Sequence, residues 1–164
     1  MKRISLFLFF LLGLGLMACS DDDDPDPDNQ NDNLGPVECI DGLKITPADS
    51  QPDTICNADY NGELKLTNSP DKAVDYFVPR SIDFEDGSKL TVESGTVISF
   101  SAGAKLTIQQ GSEVHMNGTA NSPITLRGET ETPGFWNAVV LLSGNVTNNL
   151  THVTIQNAGS DDRN

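Results

Sequence analysis

The sequence predicts an all-β protein, a short right-handed parallel β-helix (a solenoid) with a loop-rich N-terminal cap. Three observations carry this prediction: an eight-residue repeat begins at Pro79, each repeat holds two large apolar residues separated by one polar residue, and helical spacing is absent there. Alternation with a period of two is typical of half-buried strands, and a fixed repeat is typical of stacked coils. Because parallel β crossovers are right-handed, the same hand is expected here.

The repeats run from residue 79 to residue 117, and glycine marks the bends between them, at Gly87, Gly95, Gly103 and Gly111. If three repeats close one coil, a coil holds about 24 residues and rises by about 4.8 Å. Residues one coil apart then stack in the core, which predicts the pairs Ile82–Leu106, Phe84–Ile108, Leu90–Val114 and Val92–Met116. An antiparallel sandwich or meander remains an alternative, because short hairpins also use Gly turns.

The N-terminus has the features of an export signal. Lys2 and Arg3 precede an apolar run over residues 4–17, and small and apolar residues stand directly before Cys19. The run is short for a membrane-spanning helix of about 20 residues. Residues 16–19, Leu-Met-Ala-Cys, resemble the lipobox of bacterial lipoproteins, in which the cysteine is acylated and becomes the first residue. The resemblance implies lipidation of Cys19, and an ordinary signal peptide cut near Ala18 is the alternative.

An acidic stretch follows the cysteine, beginning with Ser20, Asp21, Asp22, Asp23 and Asp24. Residues 19–33 have almost nothing to bury and repel one another, which predicts a disordered tether. The stretch resembles the lipoprotein export signal of Bacteroidetes, which implies display at the surface of the outer membrane; a solvated linker is the alternative. The formal net charge of −14 argues against nucleic acid as a partner, since that binding depends on Lys and Arg.

Cys39 and Cys56 remain once Cys19 is assigned to lipid, an even pair in an exported protein. The sequence therefore predicts a disulfide, which would contribute roughly 3 kcal/mol in the chain-entropy model. Metal binding is a poorer interpretation, because no Cys-x-x-Cys occurs and His115 and His152 are isolated. No metal and no cofactor are predicted.

The domain organisation follows from these segments. Gly and Pro interrupt residues 36–70 every few positions, so long helices are excluded there and residues 64–66 and 76–78 are only short strand candidates. The predicted boundaries are 1–18 for the signal peptide, 19–33 for the lipidated cysteine and tether, 34–78 for the loop-rich cap, 79–159 for the coils and 160–164 for a polar tail.

Four segments of the chain carry a family resemblance: residues 89–100, 117–126, 135–141 and 150–159. In this order they resemble the right-handed parallel β-helix, pectin-lyase-like surface proteins common among Bacteroidetes lipoproteins. The resemblance covers about residues 76–159. It implies the fold more than an activity, because the shared residues are core and turn positions.

The resembled proteins continue for several more coils, whereas this sequence ends five residues after Gly159. About eight strands, fewer than three coils, would leave an open pairing edge at residues 150–155. We expect a chain truncated at its C-terminus, with an edge covered by a partner as the alternative.

Enzymes of this kind carry acidic and basic residues on one outer face and act on uronic-acid polymers. The candidates in this sequence are Arg80, Asp83, Glu85, Asp86, Lys89, Glu93, Lys105 and Arg127. The repeat places Asp83 beside Thr107 on one face and Thr91 beside His115 on another, and neither set makes an acid–base pair. No catalytic residue is predicted.

Two smaller signals concern binding and modification. Phe135 and Trp136 are candidates for stacking on a sugar ring, with packing at a coil corner as the alternative for Trp136. Residues 53–55, Asp-Thr-Ile, resemble an O-glycosylation acceptor of Bacteroidetes, which implies modification of Thr54.

The sequence thus predicts a non-enzymatic, lipid-anchored cell-surface β-helix module for adhesion, glycan contact or envelope interaction. Its expected partners are the membrane, through the lipid, and an extracellular glycan or a host or cell-envelope protein. The alternative is a truncated remnant of a β-helix polysaccharide lyase or hydrolase.

Overall fold

The computed structural model describes residues 39, 42–46 and 51–160, and in these residues the only regular elements are strands. The strands are β1 (Leu43–Lys44), β2 (Asp53–Ile55), β3 (Asp59–Tyr60), β4 (Glu63–Leu66), β5 (Tyr76–Val78), β6 (Ile82–Phe84), β7 (Lys89–Val92), β8 (Val97–Phe100), β9 (Leu106–Ile108), β10 (Glu113–Asn117), β11 (Ile124–Gly128), β12 (Val139–Leu141), β13 (Asn149–Thr151) and β14 (Val153–Ile155).

The strands form three sheets in which neighbours, except β1 and β2, are three elements apart in the chain. The sheet orders are β1-β2-β5-β8-β11-β14, β4-β7-β10-β13 and β3-β6-β9-β12. All strand pairs except β1–β2 are parallel. Each three successive strands therefore make one coil, and β3–β14 make about four coils. The predicted all-β parallel β-helix is confirmed, and the antiparallel alternative is wrong.

The predicted stacking register is also confirmed. The structure contains the pairs Ile82–Leu106, Phe84–Ile108, Leu90–Val114 and Val92–Met116. All eight of these side chains are buried, because the alternating pattern directs them into the space enclosed by the three sheets. The four predicted bend glycines adopt φ between 69° and 87°, a region that other residues enter only with strain.

The coils begin earlier than the repeat predicted. Residues 59–78, expected in a loop-rich cap, form β3, β4 and β5, which pair with β6, β7 and β8. Tyr60 pairs with Phe84, 24 residues away, but Leu64 pairs with Leu90 at 26 and Tyr76 with Ile98 at 22. Because the turns of this coil differ in length, its core residues do not recur at a constant spacing, and the eight-residue repeat does not reveal the coil. The chain therefore has about four coils where fewer than three were expected.

The N-terminal end of the solenoid is closed by a short antiparallel pair and a cross-link. β1 pairs with β2, and Cys39 is bonded to Cys56 with their Cα atoms 6.3 Å apart, which confirms the predicted disulfide. Next to it, Lys72 Nζ lies 2.6 Å from Asp53 Oδ1, and both side chains are only 11% exposed. This end of the core is thus held by a covalent bond and a nearly buried ion pair.

A second buried carboxylate joins the first two coils. Asp75 is 1% exposed, and its side chain accepts hydrogen bonds from the backbone N–H groups of Ser69 (2.6 Å) and Val97 (2.7 Å). Ser69 lies in the connection before β5 and Val97 is the first residue of β8, so the carboxylate satisfies one donor in a loop and one at a strand end. Asp75 therefore fixes the turn before β5 to the strand β8 that stacks on it.

Candidate functional site

The outer face of the first sheet carries a row of three side chains on adjacent strands. In β5 and β11, buried residues flank Phe77 and Arg127, so these two side chains alternate outward. Ser99 of β8 pairs with both in the register. Adjacent strands lie about 4.8 Å apart, so the aromatic ring and the guanidinium stand on the same surface with the hydroxyl between them.

This row lines a groove of about 410 Å³, here called the arginine groove. Its walls consist of Gln51, Pro52, Ala73, Val74, Phe77, Ser99, Arg127 and Glu129. None of the ion pairs among the described residues includes Arg127. Its Nε atom is buried and has no hydrogen-bond partner there. Buried donors are almost always satisfied in folded proteins, so the unpaired Nε makes Arg127 unusual among the residues of this wall.

The arginine groove combines an aromatic ring with hydrogen-bonding side chains. Phe77 is half-buried, the amide of Gln51 both donates and accepts, and the carboxylate of Glu129 accepts. Neither lysine nor histidine lines the groove. Arg127 was among the candidates from the sequence, but Phe77 and Gln51 were missed because residues 34–78 were assigned to a cap. The alternation Tyr76-Phe77-Val78 was the signal that placed Phe77 outward.

A second groove, of about 500 Å³, is acidic. It is lined by Asp59, Asn61, Asp83, Glu85, Asp86, Gln109 and Gln110. Asp59 and Asp83 are paired residues of β3 and β6, so their side chains leave the same outer face one strand apart. Three of the candidate carboxylates from the sequence thus meet here, without a basic residue among the lining side chains.

The basic candidates other than Arg127 lie outside the two grooves. Lys89 Nζ is 3.9 Å from Glu113 Oε2, and the fourth acidic candidate, Glu93, has its Oε1 2.6 Å from Lys65 Nζ. That hydrogen bond, more than the charge of Glu93 itself, raises the pKa of Lys65. Arg80 and Lys105 line neither groove. The acidic groove therefore has no basic residue in its lining, whereas the arginine groove contains Arg127 and Glu129.

Glu113 and His115 form a polar contact on β10. His115 Nε2 lies 3.2 Å from Glu113 Oε2, and the amide of Asn145 donates to Glu113 Oε1 at 3.1 Å. The hydrogen bond with His115, followed by that with Thr147, lowers the pKa of Glu113 below its ordinary value. Thr91 lies beside His115 and Asp83 beside Thr107 in the register, as predicted. The hydrogen bond from Asn145 to Glu113 links the third coil to the loop before β13.

Of the two interpretations of Trp136, the structure supports packing at a coil corner and not stacking on a ligand. Its side chain is 0% exposed, its ring stacks on Phe100, and its Nε1 donates to the carbonyl of Gln156 at 2.7 Å. Phe135 is half-buried and packs against the same core. Burial of apolar surface explains why Trp136 lies in the core, because its indole is the largest ring in the chain and fills the corner of the last coil.

Thr54 lies half-buried in β2, between Lys44 and Phe77 in the register, and its glycosylation stays a prediction. Cys19, Ser20 and Asp21–Asp24 lie outside the described residues, and so does the polar tail after Ser160.

Within the described residues, no three His, Cys, Asp or Glu side chains are placed to share a metal ion. The same part of the chain contains no helix long and apolar enough to cross a membrane.

Comparison with known proteins addresses the fold. The family described as "Pectate-lyase like beta helix domain" matches residues 62–162. No curated protein and no solved structure matches the chain. The match begins just before β4 and extends past β14, so it covers nearly all of the coils described above. This chain belongs to the family of pectate-lyase-like β-helix domains.

Proposed function

We propose that this protein is a lipid-anchored, cell-surface β-helix module that binds carboxylated glycans without turning them over. The observation that carries the proposal is Arg127, which forms none of the ion pairs among the described residues and lines a groove that also contains the aromatic ring of Phe77. Arginine presents planar donors that match a carboxylate, and an aromatic face packs on the apolar face of a sugar.

The remaining wall of the arginine groove fits the same ligand class. Gln51 and Glu129 offer hydrogen-bonding groups for sugar hydroxyls, and Pro52 and Val74 add apolar contact. A volume of about 410 Å³ lies within the range of small-ligand sites. The family description names pectate lyases, whose substrate is an anionic uronic-acid polymer, and this supports an acidic sugar as the ligand.

The carboxylates of the two grooves are the basis for proposing binding without turnover. General acid–base catalysis needs a positioned pair within hydrogen-bond reach of the substrate. In the arginine groove Glu129 is the single carboxylate, and the acidic groove has no basic partner. The alternative is a remnant of a polysaccharide lyase or hydrolase, and turnover of the glycan would support that alternative.

Binding is tested by titrating the chain with oligogalacturonate and with its methyl ester, which has the same sugars without the charge. We expect the acid to bind more tightly than the ester. Arg127→Gln should remove this difference and Phe77→Ala should weaken both ligands by roughly tenfold. Arg80→Gln, an exposed arginine outside the groove, is the matched control. Equal affinity for acid and ester, or release of unsaturated or shortened products, would contradict the proposal.

The anchor is part of the same proposal and rests on residues 16–24. Acyl chains on Cys19 would hold the protein at a membrane, and Ser20 with the four aspartates would direct it to the cell surface. Labelling with a fatty-acid analogue should mark the wild-type chain and not Cys19→Ser. Protease added to intact cells should degrade the wild type, whereas replacement of Asp21–Asp24 by alanine should protect it. Labelling of Cys19→Ser at the wild-type level would exclude this anchor.

A further inference from the structure

The sequence contains the dipeptide Asn-Gly twice, at residues 61–62 and 117–118. This dipeptide is prone to deamidation, because the backbone nitrogen of a glycine can attack the side-chain amide carbon of the asparagine without hindrance from a side chain of its own. The reaction needs a glycine N–H group that is free of hydrogen bonds and a backbone that can bend towards the asparagine side chain. The two sites share this local chemistry and differ through the fold around them.

The fold protects the second of these pairs. Asn117 is the last residue of β10 and is paired with Thr151 of β13, so its backbone is held in the sheet. Gly118 is buried, and its N–H group donates to the carbonyl of Thr151 at 2.9 Å. A Cβ atom on Gly118 would lie 2.5 Å from the carbonyl oxygen of His152, so the backbone there has little room to move. Attack by this nitrogen therefore requires the two strands to separate locally.

The first pair lies in an open turn. Asn61 and Gly62 connect β3 to β4, and both residues are exposed. Among the described residues, no hydrogen bond involves the N–H group of Gly62, whereas its carbonyl accepts from the N–H group of Lys89 at 2.8 Å. Apart from its chain neighbours, no atom lies within 4 Å of the Cβ position of Gly62. The nitrogen that would attack is therefore free, and the space around it is open.

We propose that Asn61 is a site of spontaneous deamidation and that Asn117 is protected from it by the fold. The nitrogen of Gly62 loses its proton and forms a bond with Cγ of Asn61, and the C–N bond of the side-chain amide breaks with release of ammonia. Water then opens the resulting succinimide at one of its two carbonyl groups, which gives aspartate or isoaspartate. One amide and one water thus become one carboxylic acid and one ammonia, without a change of oxidation state.

Deamidation changes the charge of the acidic groove, because Asn61 belongs to its wall. The carboxylates that line this groove are those of Asp59, Asp83, Glu85 and Asp86, and the reaction adds a fifth. The isoaspartate product also places one more carbon in the main chain between Tyr60 and Gly62, whose carbonyls accept from the second coil at 2.9 and 2.8 Å. The proposal does not depend on glycan binding at the arginine groove.

Incubation of the full chain in a mildly alkaline buffer with detergent, followed by peptide mapping with mass spectrometry, tests the proposal. Digestion with a protease that is active in acid avoids new deamidation during preparation. We expect the peptide with residues 61–62 to gain the mass of an amide-to-acid conversion and to separate into two products. The rate at Asn61 should exceed that at Asn117 by roughly tenfold or more, because attack at the second site must wait for local opening.

The same chain unfolded in urea is the control for local sequence, and there we expect the two sites to react at similar rates. Asn61→Gln lengthens the side chain, so the five-membered ring cannot form and the mass gain should disappear. Asn117→Gln is the matched variant and should leave the rate at Asn61 unchanged. Circular dichroism verifies that both variants are folded. Equal rates at the two sites in the folded chain, or an Asn61 that stays intact while the unfolded chain reacts, would overturn the proposal.

Discussion

Trp136 lies flat on Phe100, with ring centroids 4.2 Å apart and ring planes inclined by 9°. Phe100 ends β8 and Trp136 precedes β12. Asn137 N–H donates to the carbonyl of Ala104, so the turn that carries Trp136 lies directly on the turn that follows Phe100 and the ring contact joins adjacent layers. The indole donates to Gln156, directly after β14. One side chain therefore ties the beginning and the end of the last coil to the core beneath.

Trp136→Ala should destabilise the protein by about 3–5 kcal/mol, because it removes a fully buried aromatic ring and leaves a cavity. Trp136→Phe retains the ring contact but loses the hydrogen bond to Gln156, so its loss should be smaller. Urea unfolding followed by circular dichroism measures both. Equal losses for the two variants would show that the hydrogen bond, and not the stacking, dominates.

Gly118→Ala should destabilise the protein by about 2 kcal/mol or more. A Cβ atom there would lie 2.5 Å from the carbonyl oxygen of His152, and backbone cannot yield as a flexible side chain can. Gly144→Ala is the control, since nothing lies within 4 Å of its Cβ position. Fluorescence of the single tryptophan, buried when folded, follows unfolding of both variants. A small effect at Gly118 would mean that the last coil moves freely over the third.

Lys72→Ala should destabilise the protein by about 3 kcal/mol, because it leaves the nearly buried Asp53 without its counter-charge. Lys65→Ala breaks an ion pair of equal length whose side chains are 57% and 44% exposed, so its effect should be close to zero. Thermal unfolding of the two variants compares them directly. If both shift the midpoint equally, burial is not what gives the Asp53 pair its strength.

Replacing Cys39 by Ser should lower stability by roughly 3 kcal/mol, the loop-closure entropy expected for a sequence separation of 17. A reducing agent should have the same effect on the wild type and none on the variant. The measurement is the urea midpoint with and without reductant. A wild type that is insensitive to complete reduction, verified by thiol titration, would contradict this.

The Glu113 contact should make stability fall in acid. The lowered pKa in the folded state means that this stabilisation is present above the unfolded value, near 4.5, and is lost as the pH falls through the folded value. Glu113→Gln should therefore be less stable than the wild type at about pH 7, and the difference should disappear below the lowered pKa. Glu131→Gln, at an exposed loop residue, is the control. A difference that persists unchanged in strong acid would assign the effect to packing.

The alternation of apolar residues made the coil register predictable. Between Ile82 and Met116 each side is eight residues long, so stacking at a separation of 24 follows from counting. The disulfide followed from an even cysteine pair. Outside this region the turns differ in length: His115 pairs with Asn149, 34 residues on, and Leu126 with Ile155, 29 residues on. Counting residues does not predict the stacked pairs there, because the loops differ in length while the strands remain in register.

Sequence alone determined that this is an all-β solenoid and which core pairs stack within it, because local alternation and spacing encode these features. It also determined that Cys39 and Cys56 are joined, because they are the even pair left once Cys19 is assigned to lipid. Tertiary structure decided which aromatic ring is accessible. Trp136 is buried by a contact with Phe100, 36 positions earlier, whereas Phe77 meets Arg127 only because parallel strands bring residues 50 positions apart onto one face. Local sequence patterns do not show that such distant residues are neighbours in space, because their proximity depends on the length of every turn between them.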